Sequence, residues 1–483
     1  MVRSRERVCR SFLTVLLCLV ALAGSGCGFL APYPVRMAYA QAAFADGDLV
    51  EAVRAISATK PPEREELLHH MEIGSLLHAK GDFEGSNRHL LAATDIARAY
   101  DDRAVLSLRD SAALGASLLV NDNLLPYRGA PFERVMVHCL LAVNFLMQKD
   151  LDSARVEILR AHAVQKATEE AHEEAIRRTR EEARRRALPT DDVIEMVRRA
   201  RPDERDVLQM AGNLYVNAFA LYLSSIVYEM NGELDEAYID ARAVYELNPD
   251  FVPVRRDLLR LSSALGFRSD LERWQDLFGA QEDVGVPPDH GEVLVLHEAG
   301  QIGRREEIKV PIPVTIEGWP CAVTVAIPVH RPRAATSGRV SLRIRGKEVA
   351  RTFPLTDLDA TAARYLRDEA PAMATRQIIR AAGRLALILS ARRKYGEFAS
   401  SILSLLFYAT EQADLRSWMS LPRELQVART DVPAGTHEME VVIGGGAEET
   451  RVSLGTVPVR ARGTTIILLR SLRNRGTGYC VVY

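Results

Sequence analysis

The chain has 483 residues, too many for one compact core, and its 47% hydrophobic and 26% charged composition is that of a folded body rather than a disordered chain. Lys and Arg number 62 against 64 Asp and Glu, which excludes the broadly basic surface of a nucleic-acid binder. Of six cysteines, Cys9, Cys18 and Cys27 fall near the N-terminus, and Cys139, Cys321 and Cys480 are far apart. No CxxC and no Cys/His spacing of a zinc site occurs, so neither a metal nor another cofactor is expected. Cys139, within VMVHCLLAVNFL, reads as a small buried residue, and a Cys321–Cys480 disulfide stays open for an oxidising compartment.

The first element is a leader. Arg3, Arg5, Arg7 and Arg10 precede an apolar run from Ser11 to Ala23. That run is shorter than the roughly 18 residues a membrane span needs, and it fits a secretory signal peptide. Gly24, Ser25 and Gly26 then lead into Cys27. This stretch resembles a bacterial lipobox, whose cysteine is lipidated and becomes the new N-terminus. It departs from the motif at Gly24, where a leucine-like residue is preferred. An ordinary signal peptide cleaved nearby is the other reading. Several fatty-acyl chains, at about 0.8 kcal/mol per buried CH₂, would anchor stably where one would not. Gly28, rather than Asp, follows the cysteine. By resemblance to the lipoprotein sorting rule, the chain is expected on the outer membrane, facing the periplasm. Residues 1–26 are thus a signal peptide and 27–36 a lipidated N-terminus and linker.

From 37 to 280 the pattern is helical. The segment 220–251, ALYLSSIVYEMNGELDEAYIDARAVYELNPDF, has Leu221, Ser225, Tyr228, Ala237 and Pro249 at the spacing of a tetratricopeptide (TPR) repeat, which it resembles. Ser225 and Ala237 are small where two antiparallel helices approach, Tyr228 fills the groove beside them, and Pro249 stops the second helix. A similar turn-then-small signature ends at Ala52, Ser86 and Ala154, spaced 34 and then 68 residues apart. Gly74 and Ala142 fall at the other small position of their repeats. From Ala154 to Ala237 is 83 residues, which implies an insertion. It is the charged stretch of about 165–206, with pairs such as Glu174 and Arg178 at helical spacing. Its interleaved glutamates argue for a solvated projecting hairpin over a nucleic-acid site.

Within this region NDNLLPYRGAPFERV (121–135) is a loop between helices. Asx turns and a helix start near Pro131 are one reading. A polar binding loop presenting Asn121, Asp122, Asn123, Tyr127 and Arg128 is the other. Asp122 and Glu133 are paired carboxylates without a companion nucleophile in a recognisable motif, so no catalytic residue is assigned.

From about 288 to 483 short alternating or apolar stretches bounded by Gly and Pro read as strands, with helical signal returning over about 356–412. The apolar run Phe398–Ala409 is too short for a span and reads as a core helix. ELQVARTDVPAGTHEMEVVIGG reads as a hairpin turning at Pro433, Ala434 and Gly435. Between helix and strand lies ADLRSWMSLPREL, in which Asp414, Arg416 and Trp418 could form a ligand site. Because a helix-to-sheet connector needs an anchor, Trp418 is expected to be a buried plug.

Taken together, the leader, the NDN…PYRG…ERV loop, the YEMNGELDEAYIDARAVYELNP hairpin and ADLRSWMSLPRELQVAR followed by VPAGTHEMEV resemble an uncharacterised family of Gram-negative outer-membrane lipoproteins with TPR repeats. The expected fold is multidomain α+β, an all-α TPR-like superhelix followed by a β-sandwich-like domain with a helical insertion. The expected function is a periplasmic scaffold, not an enzyme, that binds an envelope protein or peptide in envelope assembly, export or cell-wall synthesis. Contact with the membrane would be through the lipid alone, with no nucleic acid bound. An envelope enzyme or binding module acting on peptidoglycan or polysaccharide is the alternative. It would need a polar pocket around Asp122, Tyr127 and Glu133.

Overall fold

The computed structural model describes residues 31–107, 122–185, 216–279, 285–316, 319–333, 338–397, 412–444, 449–473 and 475–483, with a few single positions between them. Cys27, Asn121, most of the charged stretch beyond 185 and the run at 398–409 lie outside them, as does the Cys321 side chain. Cys480 is a free thiol.

Among the described residues, five helical hairpins follow a short turn of helix at Tyr33–Arg36. They are α1 Ala38–Ala45 with α2 Leu49–Ser57, and α3 Glu66–Lys80 with α4 Phe83–Ser107. Next come α5 Pro131–Met147 with α6 Leu151–Arg185, and α7 Ala218–Met230 with α8 Leu234–Leu247. The last is α9 Val252–Leu265 with α10 Arg268–Phe278. Each hairpin turns on one residue of positive φ: Gly47, Gly81, Lys149, Gly232 and Gly266. Only Lys149 bears a side chain in this left-handed conformation, which favours glycine. Asp48, Asp82 and Asp150 then cap the second helices of their hairpins, accepting from Glu51, Gly85 and Ser153 N–H groups.

The small residues sit where the helices touch. A Cβ added at Gly74 would lie 2.6 Å from Leu90. Ser86 Oγ donates to the Gly74 carbonyl at 2.7 Å, and Ser225 Oγ to that of Ala237 at 2.8 Å. Ala142, Ala154 and Ala237 are fully buried and Tyr228 is buried beside them, while Pro249 lies just past the end of α8. Ala237→Trp is therefore expected to destabilise the protein by at least ~1–3 kcal/mol through overpacking. Arg184→Ala, on the exposed part of α6, should change stability by less than about 0.5 kcal/mol. Equal thermal midpoints for the two variants would rule out the close helix approach.

The C-terminal half is a sandwich. Among the described residues, one sheet has five strands in the order β11-β10-β1-β7-β6, the other four in the order β5-β4-β8-β9, and β2 pairs with β3. The strands are β1 His290–Ala299, β2 Arg304–Ile316, β3 Trp319–Arg331, β4 Val340–Ile344, β5 Lys347–Arg351 and β6 Phe353–Asp357. After the helical insertion come β7 Glu424–Pro433, β8 Gly435–Ile443, β9 Thr450–Val459, β10 Thr464–Leu472 and β11 Arg475–Val482. Central β1 runs parallel to β10, with Leu294 opposite Ile466. It is buried on both faces, as such strands usually are. Val293, Val295, Ile467 and Leu469 meet Leu342, Val441 and Val457 of the second sheet. Leu294, Leu296, Ile466 and Leu468 point the other way, into one core with the helices.

The expected hairpin at Pro433–Gly435 is corrected here. β7 pairs with β1 and β6, whereas β8 pairs with β4 and β9. The chain therefore crosses from one sheet to the other, and the Ala434 N–H is taken up by the Asp289 carbonyl at 2.8 Å. The helical insertion is α11, Leu358–Tyr395, capped by Asp357, which accepts from the Ala360 N–H at 2.8 Å. Its Ala370, Ala374 and Ile378 pack on Val325 and Ile327 of the β2–β3 arm rather than between the two sheets.

The first helix of every hairpin touches the β-rich half. From α1 Gln41 meets Gln301, from α3 His78 meets Glu298, and from α5 Glu133 meets Trp418. From α7 Glu229 meets Arg429, and from α9 Arg256 meets Asp431. The helical face open to a partner in an isolated repeat array is here occupied by the chain's own sheet and connector.

Candidate functional site

The two stretches singled out in the sequence, the 121–135 loop and ADLRSWMSLPREL, lie against each other at this seam. Residues 412–418 form no helix or strand, so their backbone N–H groups need other acceptors once buried. Carboxylates supply them here and over the next two residues, with Glu307 accepting from Ala413 N–H at 2.7 Å and Asp414 from Arg416 N–H at 3.1 Å. Glu133 on α5 accepts from Trp418 N–H at 2.9 Å, and Glu72 on α3 accepts from Met419 N–H at 2.8 Å and Ser420 N–H at 3.1 Å. Ser420 Oγ also donates to Glu72. Burial pushes the Glu72 carboxyl up to about 7, against these hydrogen bonds, which favour its charge. Trp418 is fully buried, and its indole N–H donates to Ser75 Oγ at 3.0 Å.

The loop is held by Arg416. Its guanidinium donates to the carbonyls of Leu125 at 2.9 Å, Asp122 at 3.0 Å and Arg64 at 3.3 Å, and forks onto Asp414 at 2.7 and 2.8 Å. It also stands 5.5 Å over the Tyr127 ring. Burial is the largest influence and works against its charge, but the hydrogen bond and charge of Asp414, with the charges of Tyr127 and Glu65, together outweigh it and raise its pKa. Asn123 Nδ2 donates to the Ala413 carbonyl at 3.2 Å, and Asp122 accepts from Arg380 of α11 at 2.8 Å.

The expectation that Tyr127 is presented to a partner is corrected. Its ring is 5% exposed, its O–H donates to Glu133 at 2.5 Å, and only Arg128 of the pair faces solvent. The reason is local: Glu133, at the third position of α5, also reaches back to the Ala130 N–H at 2.6 Å. Tyr127 and Glu133 do converge, but Glu133 is 1% exposed and its oxygens accept from Tyr127 O–H, Ala130 N–H and Trp418 N–H. Asp122 is turned away toward Arg380. The arrangement fastens a connector rather than opening a pocket to substrate.

A second cluster binds α7 and α9 to the sheet. Arg429 of β7 forks onto Glu292 of β1 at 2.6 and 2.9 Å. It reaches Glu229 of α7 and Asp257 of α9, each at 3.0 Å. Arg260 pairs with Glu229 at 2.5 Å, and Tyr222 O–H donates to Asp257 at 2.7 Å. Burial raises the Glu229 carboxyl, but Arg429 and Arg260 outweigh it and hold it at about 2. A crevice of about 440 Å³ opens beside this network, lined by Glu229, Arg260, Glu292 and Arg429, whose charges already satisfy one another.

His78 joins three elements: one ring nitrogen faces Asn144 Oδ1 at 2.5 Å and the other Glu298 at 2.9 Å. With an acceptor at each nitrogen the imidazolium is favoured, and Glu298 raises its pKa despite burial. The sequence reading passed over Glu72, His78, Glu292 and Arg429. Their one signal was a charged residue inside an apolar stretch, as in EVLVLHE and MEIGSLL. Among the described residues no three His, Cys, Asp or Glu are placed to hold a metal ion, and no helix is long and apolar enough to cross a membrane.

No family model and no curated protein matches the chain. Solved structures with partial likeness include the following three. One is MamA, 12% identical over 48% of this chain and 88% of its own, with a TM-score of 0.27. Another is a Podosopora anserina putative kinesin light chain with TPR-like repeats, 13% identical over 50% and 90%, at 0.27. A third is the TPR2AB domain of yeast Sti1, 12% identical over 50% and 87%, at 0.19. Overlap this low adds nothing to the repeat geometry that the hairpins themselves display.

Proposed function

We propose that the protein is a lipid-anchored scaffold of the outer membrane that holds a protein partner in the periplasm, in envelope assembly, export or cell-wall synthesis. The reading of the anchor rests on the basic and apolar leader ending at Gly24-Ser25-Gly26-Cys27. The reading of the scaffold rests on one observation, the outward helices of the hairpins. Val156 on α6 and Ile239 on α8 each stand two residues beyond the small alanine of their repeat, and they are 42% and 64% exposed. Apolar β-branched side chains at matching points of adjacent hairpins offer a partner a surface that the sheet does not cover.

Two experiments test this. Cys27→Ala is expected to release the protein from outer-membrane vesicles washed in high salt, and retention of the variant would refute the anchor. A photo-crosslinking side chain placed at Val156 or Ile239 in intact cells is expected to capture the same envelope protein from both positions. Ile239→Asp should abolish capture from Val156. Capture no different from that at Arg184 would overturn the scaffold surface.

A further inference from the structure

On the opposite end of the sheet, a cleft of about 580 Å³ lies between α1 and the base of the β2–β3 arm. Arg304, Arg331, Arg333 and Arg473 line it, against one carboxylate, Glu306. Glu306 is shared between Arg304 at 2.8 Å and Arg331 at 3.4 Å, and Arg473 pairs outside the lining with Asp46 at 2.6 Å. Arg333 is different. Its hydrogen bonds run to neutral amides, Gln301 Oε1 at 2.6 Å and Gln41 Oε1 at 3.5 Å. Gln301 is fixed in this orientation because its own Nε2 donates to Gln41 and to the Met419 carbonyl. The guanidinium is thus held in place, half-buried, by groups that orient it without neutralising it. Burial first, and then the charge of Arg304, hold its pKa below the ordinary guanidinium value, with Arg473 adding to the effect and Asp359 and Glu72 offsetting part of it.

We propose that this cleft is a binding site for a phosphate group, carried on a lipid headgroup or on a small soluble molecule. A carboxylate would be satisfied by one guanidinium fork. Guanidinium groups that line one cleft from β2, from the end of β3 and from the β10–β11 turn offer several donors to the several oxygens of a phosphate. The volume falls within the range of small-molecule sites. The headgroup version alone rests on the anchored reading above: Pro34, on the cleft wall, lies seven residues after Cys27, a reach of at most about 25 Å.

Calorimetric titration of the purified full chain with inorganic pyrophosphate, and separately with monomeric dihexanoyl phosphatidylglycerol, tests the proposal. Saturable binding of either probe is expected, weakened about tenfold or more by Arg333→Gln, because a charged fork on phosphate is lost. Arg331→Gln, on a well-exposed side chain, should weaken it too without threatening the fold. Glu306→Gln should tighten it by freeing two guanidinium groups, and Arg451→Gln on exposed β9 should leave it unchanged. Tighter binding of the short-chain lipid assigns a headgroup, and tighter binding of pyrophosphate a soluble phosphate. Absence of saturable binding, or affinities that ignore Arg333 and Arg331, would overturn the site. Failure of the anchor would appear only in the fractionation of Cys27→Ala and would leave these titrations as they are.

Discussion

Arg429→Leu is expected to destabilise the protein by about 3–5 kcal/mol, because removing one partner strands buried charge. Here the effect is compounded. A single guanidinium faces three carboxylates, Glu229, Asp257 and Glu292, contributed by two helices and a strand. Without it, among the described residues, Arg260 still pairs with Glu229 and Asp257 but no cation pairs with Glu292, and leucine offers the oxygens nothing. The three carboxylates also join the hairpins to the sheet, so their repulsion acts on the seam itself.

The same residue sets a pH dependence. In the fold Glu229 titrates near 2, against an ordinary value of 4.5. A carboxylate whose folded pKa is depressed stabilises the fold above its unfolded pKa, and that contribution is lost as pH falls through the folded value. The wild-type protein should therefore lose this stabilisation between about pH 4.5 and pH 2. The Arg429→Leu variant, already without it, should lose less. Denaturant midpoints at pH 7 and pH 3 measure this directly: the gap between the two proteins should narrow in acid. A gap below about 1 kcal/mol at pH 7, or one that stays constant to pH 3, would refute the role of the network.

Trp418→Ala should cost on the order of 3–5 kcal/mol and lower the cellular level of the protein. The side chain is wholly enclosed between the connector and the first helices of two hairpins, and its removal leaves a cavity and takes one donor from the Ser75 hydroxyl, which keeps the Glu72 carbonyl and the Ser420 hydroxyl. Trp418→Phe separates the two effects, since it keeps most of the volume and loses only the indole donor. It should be the milder change. Differential scanning calorimetry of the three proteins decides the matter. A Trp418→Ala variant that melts like wild type yet loses a partner would make the stretch a binding site instead of a plug.

The sequence by itself determined the elements whose causes are local. A glycine followed by an acidic cap and, a few residues on, a small residue is enough to specify a helical hairpin. Left-handed φ at Gly81 or Gly232 and the contact of Ser225 with Ala237 involve residues within one or two helices. Trp418, expected to be buried in the connector ahead of β7, is fully buried there. Tertiary structure alone decided what those hairpins face. β1 pairs with β10, placing Leu294 beside Ile466, and no periodicity reports a partner so far along the chain. β7 and β8, adjacent in sequence and strand-like in pattern, went to different sheets because alternation encodes a strand's two faces but not its neighbour. Glu72, Glu292 and Arg429 show no sign of burial in the sequence beyond their apolar neighbours. They become interior only when the sheet closes over the first helices, because burial of a charge depends on the counter-charge or N–H group that arrives from elsewhere to meet it.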